Sequence, residues 1–345
     1  MSDLQMHLAW LELTIEEPLE PDLAICDAHH HLWDGRPTRV TPRYLLDEFL
    51  ADTGSGHHIA SSVYVECGTM YRLNGPPVLR AVGETEFANG MAAMSASGLY
   101  GATRVAAGIV GFVDLAQRDA AAVSLDAHLA ASGGRLRGVR QVALRDDTGN
   151  FPEHRTRPPR GLLLHEDFRA GFALLAERRL VFEATCYQHQ LPEVIDLARA
   201  FPSTVIVLSH CGGPTDTRLG TSRSEPAFAQ WRASIAELAG CPNVVVKLGG
   251  LSLEPFGLGK HQRPRPASSK EIAAAVRCYF DYLIEQFGVE RCMFESNFPV
   301  EKIDCSYTIL WNAFKRIADG ASPYDKAQLF HDTATRVFRL YTAAP

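Results

Sequence analysis

Apolar positions recur along this chain in two alternating periods. Short runs rich in β-branched and large apolar residues, Leu23–Asp27, Ser62–Cys67, Val105–Val113, Gly138–Leu144, Leu180–Tyr187, Val205–His210, Val244–Leu248 and Arg291–Glu295, predict eight strands. Between or after them, apolar residues at helical spacing predict helices over Tyr44–Leu50, Leu125–Ala131, Phe168–Ala176, Val194–Ala200, Ile272–Ile284 and Tyr307–Ile317. Thr41-Pro42 and Ser322-Pro323 have the chemistry of an N-cap followed by a first-turn proline. Unbroken runs such as Val205-Ile206-Val207-Leu208 suit strands covered on both faces. Eight βα units in succession imply an α/β protein with a (β/α)8 TIM-barrel architecture; a doubly wound open sheet is the alternative. The expected division is an N-terminal extension over residues 1–22 and a barrel domain over 23–345.

Composition narrows the function classes. The formal net charge of −6 gives no electrostatic reason to expect nucleic acid or an anionic membrane as partner. Hydrophobic residues at 46% leave no segment disordered by composition. The eight cysteines form no CxxC pair and several fall inside apolar runs, which points to buried free thiols in a reducing compartment. Residues 1–22 carry acids where a signal peptide carries bases, and no apolar stretch reaches the roughly 18 residues of a membrane span. The expectation is a soluble cytoplasmic protein acting on a small molecule, without a nucleic-acid or membrane partner, as a monomer or a homo-oligomer.

In a barrel, chemistry sits where the strands end. Asp27-Ala28-His29-His30-His31 closes the first strand, and strict alternation puts Asp27, His29 and His31 on one face and Ala28 and His30 on the other. Two imidazoles on one face make half of a tetrahedral metal site; a His-rich surface turn is the bland alternative. Glu66 stands at the end of strand two, where a solvated rim charge is the alternative. Arg140, between apolar neighbours on strand four, is suited to a substrate carboxylate or to an internal ion pair. Strand five leads to Tyr187 and His189, and strand six to His210 beside a Gly-rich break. Cys211 is a conceivable nucleophile or a small residue filling a turn. Strand eight ends in Glu295-Ser296-Asn297, where Glu295 and Asn297 face the same way on an ideal strand. A buried Glu295 would serve as a base of raised pKa or be paired internally with Arg140 or Lys247.

Three stretches, Asp27-Ala28-His29-His30-His31-Leu32-Trp33-Asp34, Ser209-His210-Cys211-Gly212-Gly213-Pro214 and Met293-Phe294-Glu295-Ser296-Asn297-Phe298-Pro299-Val300-Glu301-Lys302, together resemble the amidohydrolase superfamily. The resemblance is to the branch that includes sugar-acid lactonases and 2-pyrone-4,6-dicarboxylate lactonase, and it extends from Leu23 to about Leu340. It implies a lactone or similar ester opened by water at the barrel mouth, with His29, His31 and His210 binding metal or polarising the carbonyl. In such families a strand-eight aspartate is metal ligand and base. The matching position here is Asn297, whose amide cannot accept a proton at neutral pH. The cofactor expectation is therefore open between a divalent ion, zinc or manganese, held by His29, His31 and His210, and a metal-free site in which His29, His31 and Arg140 polarise the carbonyl and His210 or Glu66 activates water.

Charge suggests where specificity lies. Arg145, Arg155, Arg157 and Arg160 follow strand four, and the insertions 215–225 and 252–269 carry Arg218, Arg223, Lys260, His261, Arg263 and Arg265. Arg145, Tyr187, His189 and Glu295 are the expected substrate-binding residues. The expected activity is hydrolysis of the lactone of a small carboxylated or sugar-derived acid. The alternatives are a non-oxidative decarboxylase of the same superfamily and a binding protein on a catalytically degenerate barrel.

Overall fold

A computed structural model describes residues 2–37, 39–147, 154–214, 225–250 and 263–340. The eight expected strands are all present: β1 (Ile25–His30), β2 (Ile59–Val65), β3 (Arg104–Gly111), β4 (Leu136–Arg140), β5 (Val181–Ala184), β6 (Ile206–Leu208), β7 (Val244–Leu248) and β8 (Cys292–Phe294). Each pairs in parallel with the next, in the order β1 to β8. Backbone bonds bring the two ends together: His31 N–H donates to Phe298 O at 2.7 Å and Asn297 N–H to His29 O at 2.8 Å. The sheet thus curls into a nearly closed barrel, and the open doubly wound alternative is excluded.

The helices are α1 (Asp3–Leu11), α2 (Leu46–Thr53), α3 (Val82–Ala96), α4 (Asp119–Ala131), α5 (Glu166–Glu177), α6 (Leu191–Ala200), α7 (Glu225–Ala239), α8 (Ser269–Phe287), α9 (Tyr307–Ile317), α10 (Pro323–Ala327) and α11 (Thr333–Val337). Every helix expected from periodicity is found. α3 escaped that reading because, beside Val82, the residues it buries fully are small or polar: Gly83, Glu84, Thr85, Ala88, Ala92 and Ser95. Ser322 caps α10 as expected, its hydroxyl accepting from Asp325 N–H. Thr41-Pro42 opens no helix: Trp33 and Tyr44 exchange backbone bonds of 2.8 Å as an antiparallel bridge, and α2 begins only at Leu46.

Residues in the 2–22 stretch contact α9, the segment before α8, and the first residue of α8, where Ser269 N–H donates to Glu16 at 2.9 Å. Trp10 Nε1 donates to Arg263 O, Leu19 N–H donates to the Asn312 side chain, and Lys315 Nζ donates to the carbonyls of Leu19 and Glu20. No described helix is long and apolar enough to cross a membrane. All eight cysteines are free, six of them buried.

Two apolar layers set the position of the site. The larger lies between strands and helices. The smaller fills the barrel, with Cys26, Ala28, Val63, Val65, Val110, Val181, Val207, Val245 and Met293 closed off by Val337 and Phe338. It forms a dry floor, and the polar groups begin one step above it.

Candidate active site

The two-residue period of a strand lifts a polar side chain above each apolar floor residue. Val181 is followed by Glu183, Val207 by Ser209, Val245 by Lys247 and Met293 by Glu295. Glu183, Lys247 and Glu295 are wholly buried. Lys247 Nζ donates to Glu183 Oε2 at 2.7 Å, lies 3.9 Å from Glu295 Oε2, and stands 5.3 Å above the Phe338 ring. Ser209 Oγ donates to Glu183 Oε1 at 2.9 Å. Burial pushes the Glu183 carboxyl up, but Lys247 and Arg140 outweigh it and hold the group below its ordinary range.

Strand β1 delivers the histidines through a bulge. Its pairing with β2 passes from Asp27–Ser62 to His30–Tyr64, three residues on β1 against two on β2. Alternation breaks there. Asp27, expected beside His29 and His31, instead accepts from Ser296 Oγ at 2.6 Å and Tyr307 OH at 3.0 Å, while Ala28 joins the barrel floor. His30 stacks on Phe49 with ring centroids 4.1 Å apart, and burial drops its pKa to about 3. His29 and His31 do meet, Nε2 to Nε2 at 3.2 Å. Burial holds both well below the ordinary histidine range, so both are neutral at pH 7.

The free lone pairs follow from the partners. His31 Nδ1 lies 2.7 Å from Val65 O, which can only accept, so Nδ1 carries the proton and Nε2 is bare. Glu295 Oε1 accepts from His210 Nδ1 at 2.7 Å and from His210 N–H at 3.1 Å, leaving His210 Nε2 bare as well. Around His29 Nδ1 stand Glu295 Oε2 at 2.8 Å, Glu183 Oε1 at 3.1 Å and Lys247 Nζ at 3.3 Å. The rings of His29 and His210 have centroids 4.9 Å apart.

Glu295 therefore meets one expectation, the internal pair with Lys247, and departs from the other. Burial pushes its carboxyl up, but His210 and His29 prevail and hold it well below the usual carboxylate range, so it is no base of raised pKa. Its nearest partners are His29 and His210, with Lys247 Nζ at 3.9 Å, and not Arg140. Nor does it share a direction with Asn297: β8 ends at Phe294, Asn297 adopts a φ of 53°, and its amide donates to Glu301 Oε1 at 3.0 Å. The amide of Asn297 has no described contact with the side chains of His29, His31 or His210.

Two glycines make the Glu295–His210 pair sterically feasible. A Cβ on Gly249 would come within 2.4 Å of Glu295, and one on Gly250, whose φ is +74°, within 2.3 Å of the His210 ring. Cys211, also at positive φ, is fully buried with Sγ near the carbonyls of Lys247 and Gly249, and burial raises its thiol well above the ordinary range. It fills a turn and is no nucleophile.

A second cluster occupies the rim above β2 and β4. Glu66 Oε1 accepts from Arg140 Nε at 2.9 Å, and Oε2 accepts from Arg155 at 2.8 Å. Arg140 is thus in an internal ion pair, and Glu66, with both oxygens held by guanidinium groups, is poorly placed to activate water. Arg155 is 42% exposed against 8% for Arg140, so it presents the open side of this cluster. Behind it, Glu84 accepts from Cys67 N–H, Gly68 N–H and Tyr64 OH. Burial, with the charge of Glu66, raises Glu84 to about 7.

Arg145, Tyr187 and His189 form a separate group. His189 Nε2 contacts Arg145 O at 2.9 Å and its ring stacks on Tyr187, so it does not turn toward His29. Arg145 Nε donates to Asp147 at 2.7 Å. Arg218, Arg223, Lys260 and His261 lie outside the described residues, as do residues 148–153 of the loop after β4.

Sequence reading did not single out Glu183, Lys247, Ser209, Gly249 or Gly250 as site residues. A signal existed for two of them: Lys247 closes the run Val244-Val245-Val246, and Glu183 follows Val181-Phe182, so each places a charge inside an apolar strand.

The residues fit a metal ion. Two nitrogens at about 2.0–2.1 Å from a tetrahedral ion stand about 3.3 Å apart, close to the His29–His31 separation of 3.2 Å. His29, His210 and Glu295 also offer donor atoms within 4.8 Å of one another. Glu295 already accepts from His210 and stands 2.8 Å from His29 Nδ1, so it is placed to orient these two imidazoles.

Comparison with known proteins places the chain among relatives. The amidohydrolase family model matches residues 26–340. The uncharacterised protein y4mH of Sinorhizobium fredii is 32% identical over 342 residues, covering 92% of this chain and 99% of the relative. An L-fucono-1,5-lactonase of Burkholderia multivorans is 30% identical over 175 residues, 50% of this chain; the match spans only 56% of that lactonase. Among solved structures, an amidohydrolase from Burkholderia multivorans with bound zinc superposes with a TM-score of 0.69 at 24% identity, covering 92% of this chain and 100% of that one.

Proposed function

The chain belongs to the amidohydrolase family, as an enzyme of that superfamily, and on this premise we propose that it opens the lactone of a small sugar-derived or carboxylated acid by attack of water. The observation that carries the reading is the Glu295–His210 pair. The 2.7 Å bond fixes His210 with Nδ1 as donor and Nε2 bare, and the ionised carboxylate is ready to stabilise the imidazolium that forms when Nε2 takes a proton from water. On this reading His210 is the base, and Glu295, one layer deeper, supplies the anionic support that Asn297 cannot give.

His29 and His31 would hold a divalent ion, zinc or manganese, and such an ion supplies Lewis-acid polarisation of a carbonyl and a lowered pKa for water. The remaining work falls to the chain. Arg155, with Arg140 behind it, orients a substrate carboxylate or ring oxygen at the rim. His210 returns its proton to the leaving alkoxide, so the ring opens to a hydroxy acid. The L-fucono-1,5-lactonases among the relatives support a sugar lactone as substrate.

The test is proton release from a panel of sugar-acid 1,5-lactones, L-fucono-1,5-lactone included, and of carboxylated lactones. Turnover that His210→Asn reduces by at least about 100-fold is expected. No turnover of any lactone, with carbon dioxide released from hydroxybenzoates instead, overturns the hydrolase reading in favour of a decarboxylase.

A further inference from the structure

Three buried groups contend for one nitrogen, His29 Nδ1, and the outcome decides what the other nitrogen of that ring can do. If Nδ1 carries the proton, Nε2 is bare and faces the bare Nε2 of His31. If instead Lys247 donates to a bare Nδ1, the proton sits on Nε2, which then donates to His31 and closes the pair as a hydrogen bond. The two tautomers differ by one proton position and have opposite consequences for an incoming electrophile.

We propose that the buried Glu183–Lys247–Glu295 layer holds the proton of His29 on Nδ1, and so keeps Nε2 open beside His31. Distance is the first argument. Glu295 Oε2 at 2.8 Å and Glu183 Oε1 at 3.1 Å approach Nδ1 more closely than Lys247 Nζ does at 3.3 Å. A bare nitrogen and an ionised carboxylate oxygen at 2.8 Å repel, whereas a proton between them makes a charge-assisted bond. Glu295 Oε2 is buried and has no well-aligned hydrogen-bond donor among the described residues, and His29 Nδ1 at 2.8 Å is the nitrogen whose proton would relieve that anion. With acceptors on two sides of Nδ1, the N–H is shared between them and is not collinear with either.

Lys247 has the complementary task. Its nearest partner is Glu183 Oε2 at 2.7 Å, not His29. Buried with no exposure, it offsets one of the two carboxylates and keeps Glu183 ionised, while its own contact with His29 Nδ1, at 3.3 Å, is the longest of the three around that nitrogen. The layer then holds two carboxylates against one ammonium. That leaves one uncompensated negative charge beneath two bare imidazole nitrogens. Lys247, Glu183 and Glu295 are thus positioning residues: they touch no reacting atom, and they act through His29 and, for Glu295, also through His210. The inference rests on the reading that the His29–His31 pair faces the reacting carbonyl, but its test involves no lactone.

Nitrogen-15 NMR of the full chain after chelator treatment, with labelled histidine and the His29 signals assigned from a His29→Asn variant, reads the tautomer directly. A protonated Nδ1 and a bare Nε2 on His29 are expected; a protonated Nε2 overturns the proposal, whatever the enzyme hydrolyses. Zinc affinity by competition with a chromogenic chelator gives the second readout. Glu295→Gln is expected to weaken zinc binding by about 10–100-fold and to move the His29 proton toward Nε2. The pair Lys247→Met with Glu183→Gln removes both charges together, avoids a lone buried ion, and is expected to shift both readouts in the same direction by less. Unchanged tautomer and unchanged zinc affinity in both variants would equally refute it. The measurement on the unsubstituted protein stands even if a variant fails to fold.

Discussion

Two glutamates end two strands of this barrel, and their surroundings give them opposite work. Glu295, above β8, is held by imidazoles; Glu66, above β2, is held by guanidinium groups. The deep cluster has two carboxylates against one ammonium, an excess of one negative charge, and so suits a cation or an imidazolium. The rim cluster has two guanidinium groups against the single carboxylate of Glu66, an excess of one positive charge facing outward through Arg155, with Glu84 behind it raised to about 7. Opposite excesses in two clusters of one barrel are what a site needs to polarise one end of an anionic substrate while anchoring the other.

The deep cluster is the harder to disturb without collapse. Lys247→Ala or Glu183→Ala alone strands a buried charge and should cost about 3–5 kcal/mol, seen as a fall in the midpoint of urea unfolding. Glu295→Gln keeps the volume and should act on chemistry instead: kcat on a lactone falls by about 100-fold while KM changes by less than about threefold, because the group orients the base rather than the substrate. Equal losses in both parameters would mean that Glu295 touches the substrate.

Asn297→Asp sharpens the contrast from the other side. In the wider family pattern an acid here would strengthen a metal site, but in this chain it would face buried Glu301. The expected result is a loss of about 1–3 kcal/mol in stability with no gain in zinc affinity. A tighter zinc complex would show that the side chain turns into the site.

The rim should respond through binding alone. Arg155→Ala is expected to raise KM for carboxylated lactones by about tenfold, to leave uncharged lactones unaffected, and to change stability by less than about 1 kcal/mol because the pair is partly exposed. Glu84 gives the smallest effect, and its sign follows from a pKa raised in the folded state, from 4.5 to about 7. The stabilising form is the neutral one, so its contribution is complete below about pH 4.5 and is lost as pH climbs through about 7. Glu84→Gln should therefore flatten the decline of thermal stability across that interval; an unchanged slope would place the loss elsewhere.

Much of the barrel was legible because burial on two faces leaves a strong mark: runs such as Val244-Val245-Val246 can hardly be anything but central strands. α3 was not legible, since a helix packed through Ala88, Ala92 and Ser95 carries little apolar periodicity. Of the candidate residues, the structure brings His29, His31, His210 and Glu295 together. It sets Arg140 and Glu66 in the neighbouring rim cluster and leaves Arg145, Tyr187 and His189 as a group apart.

Sequence by itself determined the eight strands, their order, the clustering of histidines at strand ends and an asparagine at position 297, because these depend on local periodicity and residue identity. Only tertiary structure decided which side chains share the interior. The β1 bulge sends Asp27 away to Tyr307, the end of β8 separates Asn297 from Glu295, and the shear of the barrel sets Lys247, Glu183 and Glu295 at one height. Those are relations between strands distant along the chain, and no local pattern encodes the height at which two strands meet.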